Sequence, residues 1–304
     1  MNILLDAIAF SNVIALLSLG LTLTYMTLKV PNFAHGDLAT LGAYAALVGV
    51  RFLNLNPYTA IPLAFLISGA VSLASYLAVY RPLSRRGANI VMLMIASMAV
   101  EVALRSSLHI FADVMTSRTK TYWRGFFFKD GSPAGVPPYV LASTLMVAAV
   151  SITLFLMLTK TKFGVALRAA VENPQLASTV GIDVEKAYAF SWMLAGGLAG
   201  AAGIFIPYRT PTDPETGWAL LLRVFAASVL GGLDQVFGAI VGGYMVGLPE
   251  ILGIYLLSGP PFNLSTAYRP VIPFTIFVLV LLLAPRGVFG VEWKRLLGRV
   301  RKNV

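Results

Sequence analysis

The sequence predicts an all-α membrane protein, a polytopic bundle of about eight to nine transmembrane helices, some of them short or discontinuous. Two compositional observations support this class: 58% of the 304 residues are hydrophobic and only 12% are charged, with a mean hydropathy of +0.80. Soluble domains are typically about 45–50% apolar and about 25% charged. The third observation is that apolar blocks recur from residue 3 to residue 284 without a polar domain between them. A single integral-membrane domain over residues 1–304 is therefore expected.

A helix needs about 20 predominantly apolar residues to cross a hydrocarbon core of about 30 Å. The candidate spans, in order, are 3–28, 38–53, 58–80, 88–111, 138–158, 187–207, 218–232, 236–257 and 270–284. The segments 38–53, 218–232 and 270–284 are short, and a tilted, broken or re-entrant helix is expected at 218–232. The first segment has no basic stretch before its apolar run, which predicts a retained span rather than a cleaved signal peptide.

The net charge of +10 is distributed over short loops and the C-terminal end rather than over one amphipathic face. This distribution predicts positive cytoplasmic loops, and no binding of nucleic acid. Two segments carry much of the charge and are predicted to be cytoplasmic: the loop 159–186 and the basic tail 285–304. Whether 38–53 crosses fully stays open, and with it the side of the N-terminus, because that choice relocates only Lys29. The chain has no cysteine, which excludes disulfides, thiolate metal sites and cysteine nucleophiles.

The polar run "PNFAHGD", residues 31–37, stands between two apolar segments. Pro31 is predicted to break the first helix. Asn32 and Asp37 are expected to satisfy the backbone groups that the break leaves free, and Gly36 is expected to allow a tight turn. Two interpretations remain open: a capped turn between helices, or a discontinuous helix that lines a transport route. The second makes Pro31, Asn32, His35, Gly36 and Asp37 candidate pathway residues.

Charged residues within the predicted spans form a second group of candidates. Glu101, Arg105 and His109 follow one another at intervals of four, so they lie on one face of a helix. A charge at the bilayer centre costs about 2.5–3.5 kcal/mol on insertion scales, so each must pair or face water. Glu101 and Arg105 are expected to pair, either as a structural element or as part of a proton relay. Arg223 and Glu250, in the seventh and eighth spans, are a second predicted pair.

Small residues recur with the spacing of closely packed helices. Glycines occur four residues apart at 196 and 200, at 238 and 242, and at 243 and 247. This spacing allows two backbones to approach each other in a membrane. Close helix contacts are therefore expected at these positions.

The loop 159–186 has the strongest local structure signals of the chain. Good helix formers occupy 163–172, and Asn173 followed by Pro174 is a typical helix start. Gly181 suits a helix stop, and Asp183 suits the cap of the next span. The sequence predicts a short helix over 174–180, which is either a structured loop or a docking element for a partner. Its candidate docking residues are Arg168, Glu172, Asn173, Pro174, Gln175, Ser178 and Gly181.

Four stretches resemble the Liv-type permeases of high-affinity branched-chain amino-acid ABC importers. They are "GLTLTYMTLKVPNFAHGDLATLGAY" (20–44), "RAAVENPQLASTVGIDVEKAYAFSWMLAGGLAGAAGIF" (168–205), "VLGGLDQVFGAIVGGYMVGLPEIL" (229–252) and "LAPRGVFG" (283–290). The resemblance implies a permease subunit of the cytoplasmic (inner) cell membrane. Two cytoplasmic ABC ATPase subunits, a second, related permease subunit and an extracytoplasmic substrate-binding protein are its implied partners.

A transport subunit rather than an enzyme is expected, with no cofactor and no metal. The sequence contains no G-x-x-x-x-G-K-[ST] motif for nucleotide binding and no H-E-x-x-H motif. ATP hydrolysis would therefore take place in partner subunits, and the substrate would be a branched-chain or related hydrophobic amino acid. The alternatives are an ion-coupled secondary transporter, with Asp37, Glu101 and Glu250 as its carboxylates, or an ABC permease for other amino acids, amides or urea.

Overall fold

A computed structural model describes residues 3–131, 135–283 and 287–288. Apart from Gly287 and Val288, the predicted tail 285–304 lies outside the described residues, as does Ala284. The helices in chain order are α1 (Ile3–Leu28), α2 (His35–Phe52), α3 (Ile61–Ser75), α4 (Arg81–Arg85), α5 (Ile90–Thr119), α6 (Pro138–Lys160), α7 (Lys162–Glu172), α8 (Pro174–Thr179), α9 (Val184–Gly203), α10 (Thr216–Gly231), α11 (Val236–Ser258) and α12 (Val271–Leu283). A π-helical turn, Tyr76–Tyr80, joins α3 to α4.

The described residues form the predicted all-α bundle. Six helices are long and apolar enough to cross a membrane: α1, α3 with α4, α5, α6, α9 with the 3-10 turn that follows it, and α11. Helices α2, α10 and α12 correspond to the three short predicted spans. The largest difference concerns α5, which was expected to end at Phe111 but continues to Thr119. The hydroxyls of Thr116 and Thr119 accept hydrogen bonds from Trp123, so this polar turn is held against the following loop.

Helices α1 and α9 run antiparallel, which defines two sides of the bundle. At one end of α1, Asp6 forms a bidentate ion pair with Arg209, which follows α9. Near the other end, the Thr27 hydroxyl accepts a hydrogen bond from Trp192 near the start of α9. Helices α7 and α8 directly precede α9. The N-terminal end of α1 therefore lies on the side of the bundle opposite to α7 and α8.

The bundle contains an inverted repeat that the sequence analysis did not detect. Helix α1 packs along α11, and α9 packs along α3 in the corresponding way. Helices α2 and α10 follow α1 and α9, and they contact each other at Gly36 and Gly217. Since α1 and α9 run in opposite directions, the triplet α1–α2–α3 and the triplet α9–α10–α11 have inverted orientations. Repeats of this kind are common in transporters, whose binding sites lie at the repeat interface.

The predicted small-residue contacts are found, two of them between the halves of the repeat and one within the second half. Gly243 and Gly247 of α11 lie against Ala15 and Ser11 of α1, so close that an added Cβ would meet α1 backbone atoms at 2.4 and 2.7 Å. On the other side of the repeat, Gly196 and Gly200 pack against α3. Gly238 and Gly242 pack against α10. The spacing prediction is thus confirmed, and the partner helices are identified.

Candidate functional site

The connection between α1 and α2 is a break inside the bundle. Helix α1 ends at Leu28, and Lys29 has a left-handed backbone with φ of 56°. The Asn32 side chain accepts hydrogen bonds from the Ala34 amide and from the Tyr80 hydroxyl, both at 3.2 Å. The predicted break at Pro31 and the capping role of Asn32 are therefore found. The expected turn at Gly36 is wrong, because Gly36 belongs to the first turn of α2 and Lys29 makes the turn.

The first residue of α2 lies beside the middle of α1. Nε2 of the buried His35 donates a hydrogen bond of 2.9 Å to the carbonyl of Leu17. At the other end of α2, Arg51 lies over the Trp123 ring, in the loop that follows α5. The segment 29–34 thus returns from the end of α1 into the interior, and α2 covers only the remaining depth. The helical path is therefore discontinuous inside the bundle, and a role of this break in lining a transport route stays a prediction.

The first turns of α2 and α10 meet at two glycines. A Cβ added to Gly36 would lie 2.2 Å from the Gly217 carbonyl oxygen, and a Cβ added to Gly217 would lie 2.2 Å from the Gly36 oxygen. The N-termini of two helices thus converge in the interior. The amides in the first turn of a helix have no hydrogen-bond partner within that helix. Sequence reasoning selected Gly36 but missed Gly217, because the contact joins residues that are far apart in the chain.

We expect Gly36→Ala to destabilise the protein by about 1–3 kcal/mol, the usual cost of overpacking. The added methyl group meets backbone rather than a flexible side chain, so α2 and α10 must separate. Thermal unfolding in detergent measures the effect. Gly131→Ala is the matched control, because its added methyl group meets nothing within 4 Å. Equal unfolding temperatures for the two variants would contradict the close contact.

Asp37 does not fulfil its predicted capping role. The residue is buried, and among the described residues neither of its carboxylate oxygens has a hydrogen-bond partner. Thr40, one turn later in α2, and Thr22 in α1 also have hydroxyls without a partner. The prediction that Asp37 satisfies the broken backbone is therefore wrong, and the first two turns of α2 contain buried polar atoms without a partner among the described residues.

A chain of charged residues connects α5 to the start of α10. Glu101 and Arg105 form the predicted pair at 2.9 Å. Arg105 also contacts Glu215 at 3.3 Å, and His109 lies 2.8 Å from the same glutamate. The Arg105 guanidinium lies 5.0 Å from the centre of the Trp218 ring. Glu215 and Trp218 were missed, since nothing in the local sequence relates them to α5.

Glu250 is the centre of a second network, on the same side of the bundle as Asp6. Nε of Arg223 lies 2.8 and 2.9 Å from the two oxygens of Glu250, so the predicted pair is present. Nε of Arg269 also donates to Glu250, at 2.7 Å. Arg269 was missed because the sequence placed it in a loop before the last span. Arg209, Arg223 and Arg269 line a cavity of about 310 Å³.

The predicted short helix between the fifth and sixth spans is α8. The Asn173 side chain accepts a hydrogen bond of 2.9 Å from the Leu176 amide, and Gly181 is left-handed with φ of 87°. Asp183 caps α9 by accepting from the Lys186 amide at 3.0 Å, a hydrogen bond that lowers the pKa of Asp183. The seven candidate docking residues are all exposed: Arg168, Glu172, Asn173, Pro174, Gln175, Ser178 and Gly181.

Two large apolar side chains of this segment are also exposed. Leu176 in α8 is 61% exposed and Val180, directly after it, is 69% exposed. The sequence analysis did not select Leu176 and Val180, because in so short a helix the sequence does not show which face packs against the rest of the protein. Helix α7 anchors the segment to the bundle: Leu167 and Ala170 are buried, and the Ala170 carbonyl accepts a hydrogen bond from Tyr188 of α9. Leu176 and Val180 therefore lie on a segment whose position is fixed by the packing of α7 against the bundle.

The broken helices, the inverted repeat and the charges inside the bundle define a multi-span α-helical membrane protein of the transporter class. The family model described as "Branched-chain amino acid transport system / permease component" matches residues 3–281. The chain belongs to this family of transport permeases, whose members are transport components rather than enzymes.

Curated relatives support the same family over nearly the whole chain. The chain is 42% identical to the "Probable branched-chain amino acid transport permease protein LivH" of Methanocaldococcus jannaschii, over 97% of this chain and 94% of the relative. It is 26% identical to the "High-affinity branched-chain amino acid transport system permease protein BraD" of Pseudomonas aeruginosa, over 94% of both chains. Among solved structures, "PsaBC from Streptococcus pneumoniae in complex with Fab" has a TM-score of 0.51 at 14% identity, over 94% of this chain and 93% of that chain. This last likeness concerns the fold alone.

Proposed function

We propose that the chain is a permease subunit of an ABC importer that moves branched-chain or related hydrophobic amino acids across the cytoplasmic (inner) cell membrane. ATP hydrolysis takes place in two separate cytoplasmic ATPase subunits. A second, related permease completes the pathway, and an extracytoplasmic binding protein delivers the substrate. The names of the relatives support the substrate class, and the resemblance of the loop 168–205 to Liv-type permeases supports the partners.

The observation that carries this proposal is the exposed pair Leu176 and Val180 on a short helix that is capped at its start. Exposed apolar side chains that form a patch are typical of sites that contact another protein or a membrane. Leu176 and Val180 lie four residues apart on an exposed segment and can form such a patch. The segment lies opposite the N-terminal end of α1 and carries four basic residues of its own, Lys160, Lys162, Arg168 and Lys186. We therefore assign α8 and its flanking residues as the coupling element that contacts an ATPase subunit, and 159–186 as the coupling loop.

The transport pathway in this proposal follows the break between α1 and α2 and the contact of α2 with the start of α10. Its residues are Pro31, Asn32, His35, Gly36, Asp37, Glu101, Arg105, Arg223 and Glu250. The contact between Gly36 and Gly217 at the starts of α2 and α10 supports a central position of Gly36 and Asp37 in the proposed route. The Glu250 network lies nearer the end of the bundle that holds Asp6, which is the extracytoplasmic end in the proposed orientation.

The test is reconstitution of the chain in liposomes with its neighbouring ATPases, second permease and binding protein. We expect ATP-dependent uptake of leucine, isoleucine or valine, and ATP hydrolysis that increases when the loaded binding protein is added. Stimulation by another amino acid, an amide or urea would retain the importer mechanism and change the substrate. Uptake that follows a proton or sodium gradient and persists without the ATPases would overturn the proposal in favour of a secondary transporter.

A further inference from the structure

A second cavity, of about 430 Å³, lies between α2, α3 and α5. Its volume falls within the range of about 300–1,000 Å³ that is typical of small-molecule sites. Most of its lining is aliphatic or aromatic, including Leu41, Ala45, Val48, Val71 and Leu104. Among the described residues that line it, Asp37 in the first turn of α2 is the one charged side chain.

Asp37 lacks a positive partner. It is 1% exposed, and neither carboxylate oxygen accepts a hydrogen bond from the described residues. Among the described charged side chains whose fields act on Asp37, the one cation is Arg105, which is already paired with Glu101 and Glu215. An isolated carboxylate in an apolar interior is strongly unfavourable unless it is neutralised or paired. Burial therefore favours the protonated carboxyl while the cavity is empty, and the charged form of Asp37 would be stabilised by a cation from outside the chain.

The remaining polar groups of the cavity indicate which other chemical groups the bound cation contains. The Tyr44 hydroxyl donates its hydrogen bond to the Trp123 carbonyl, at 3.1 Å. Ser107 is exposed and lies at the edge of the cavity, and its hydroxyl donates to the Ala103 carbonyl at 2.7 Å. Away from Asp37 and Ser107 the lining is apolar, so it favours an alkyl group. An inorganic cation would leave this apolar volume unfilled. An amine with a branched alkyl chain would pair with Asp37 and also fill the apolar volume.

We propose that this cavity binds the ammonium group and the branched alkyl side chain of the transported amino acid, with Asp37 as the counter-ion. The inference rests on the proposed function and states which substrate features the permease itself recognises. The carboxylate of the amino acid stays at the mouth beside Ser107. Substrate selection then occurs twice, first in the binding protein and again at Asp37.

The absence of cysteine from this chain allows a direct occupancy test. Ser107→Cys places a single thiol of this chain at the cavity edge, and Ser106→Cys places one at the neighbouring exposed position of α5, outside the lining. The assembled complex is treated with N-ethylmaleimide in the presence of leucine, isoamylamine or isocaproate. Isoamylamine is leucine without its carboxylate, and isocaproate is leucine without its amine. We expect leucine and isoamylamine to slow labelling of Ser107→Cys several-fold and to leave Ser106→Cys unaffected, and we expect isocaproate to protect neither.

The variant Asp37→Asn distinguishes a role of Asp37 in ligand binding from a role in the stability of the fold. The amide has the same shape and no charge, so the stability of the complex is expected to stay the same or to rise when the unpaired carboxylate is removed. Protection of Ser107→Cys by leucine and isoamylamine is expected to disappear in this variant. Asp113→Asn, which neutralises an exposed carboxylate of α5 that pairs with Arg124, should keep full protection.

Three results would overturn the inference: protection by isocaproate equal to that by isoamylamine, protection that persists in Asp37→Asn, or no protection by any of the three compounds. A large loss of stability in Asp37→Asn would also overturn it, because it would make Asp37 a structural residue. ATP-driven leucine uptake is measured on the same preparation. Failed uptake by the complex with unaltered Asp37 counts against the proposed function, whereas normal uptake without protection counts against the cavity alone.

Discussion

Replacing Leu176 and Val180 together with aspartate is expected to abolish ATP-driven uptake while leaving the fold of the permease intact. Both side chains are more than half exposed, so the bundle loses little packing when they are changed. An apolar anchor at the centre of an interface contributes about 2 kcal/mol or more, and each 1.4 kcal/mol is about tenfold in affinity. Loss of two anchors should therefore weaken association with the ATPase subunit by roughly a hundredfold or more.

The measurement is co-purification of the ATPase subunits with the variant, together with uptake in liposomes. Leu176→Met with Val180→Ile is the matched control, since it retains the apolar surface and should behave like the unaltered chain. The unfolding temperature of the isolated permease should be the same in both variants. If the variant with the two aspartates associates and transports normally, α8 is not part of the interface with the ATPase and is only a structured loop.

Glu250→Ala is expected to destabilise the protein by about 3–5 kcal/mol, the usual effect of removing one partner from a buried ion pair. The Glu250 side chain is fully buried and accepts hydrogen bonds from both Arg223 and Arg269. Its removal leaves two guanidinium groups close together in the interior without a counter-ion. The side chains of Arg223 and Arg269 are only 13% and 26% exposed, so water cannot replace the carboxylate fully.

Glu215→Ala is the matched control for this prediction. Glu215 also contacts two basic side chains, Arg105 and His109, but its side chain is 54% exposed. An exposed pair contributes about 0–1 kcal/mol, so this variant should unfold close to the temperature of the unaltered protein. Thermal unfolding in detergent compares the two variants, and expression in the membrane gives a second readout. A similar small effect for both would mean that the Glu250 network is hydrated and does not contribute to stability.

The sequence predicted local features with good accuracy, because they depend on neighbouring residues. The α8 segment illustrates this: an N-cap, a proline at the first position and a glycine stop are all contained in "NPQLASTVG", and each is found in place. The pair Glu101 and Arg105 was predictable for the same reason, since a spacing of four residues in a helix fixes their proximity.

Contacts between distant segments were harder to predict. The pairing of Arg223 with Glu250 was anticipated because embedded charges need partners, yet the second partner, Arg269, has no sequence signal that distinguishes it from other loop arginines. The role of Asp37 was predicted wrongly. A first-turn aspartate usually satisfies nearby amides, but here the adjoining cavity and the paired state of Arg105 leave it without a partner.

By itself, the sequence determined the class of protein, the number and order of the apolar helices, the position of the break before α2 and the shape of the α8 segment. These features follow from composition, periodicity and spacing within a few turns of chain. Only the tertiary structure decided that α2 starts inside the bundle, that Gly36 meets Gly217 and that the chain folds as an inverted repeat. The physical reason is that each of these depends on close contact between backbones that are far apart in the sequence. Small residues permit such contacts without specifying which helix will make them.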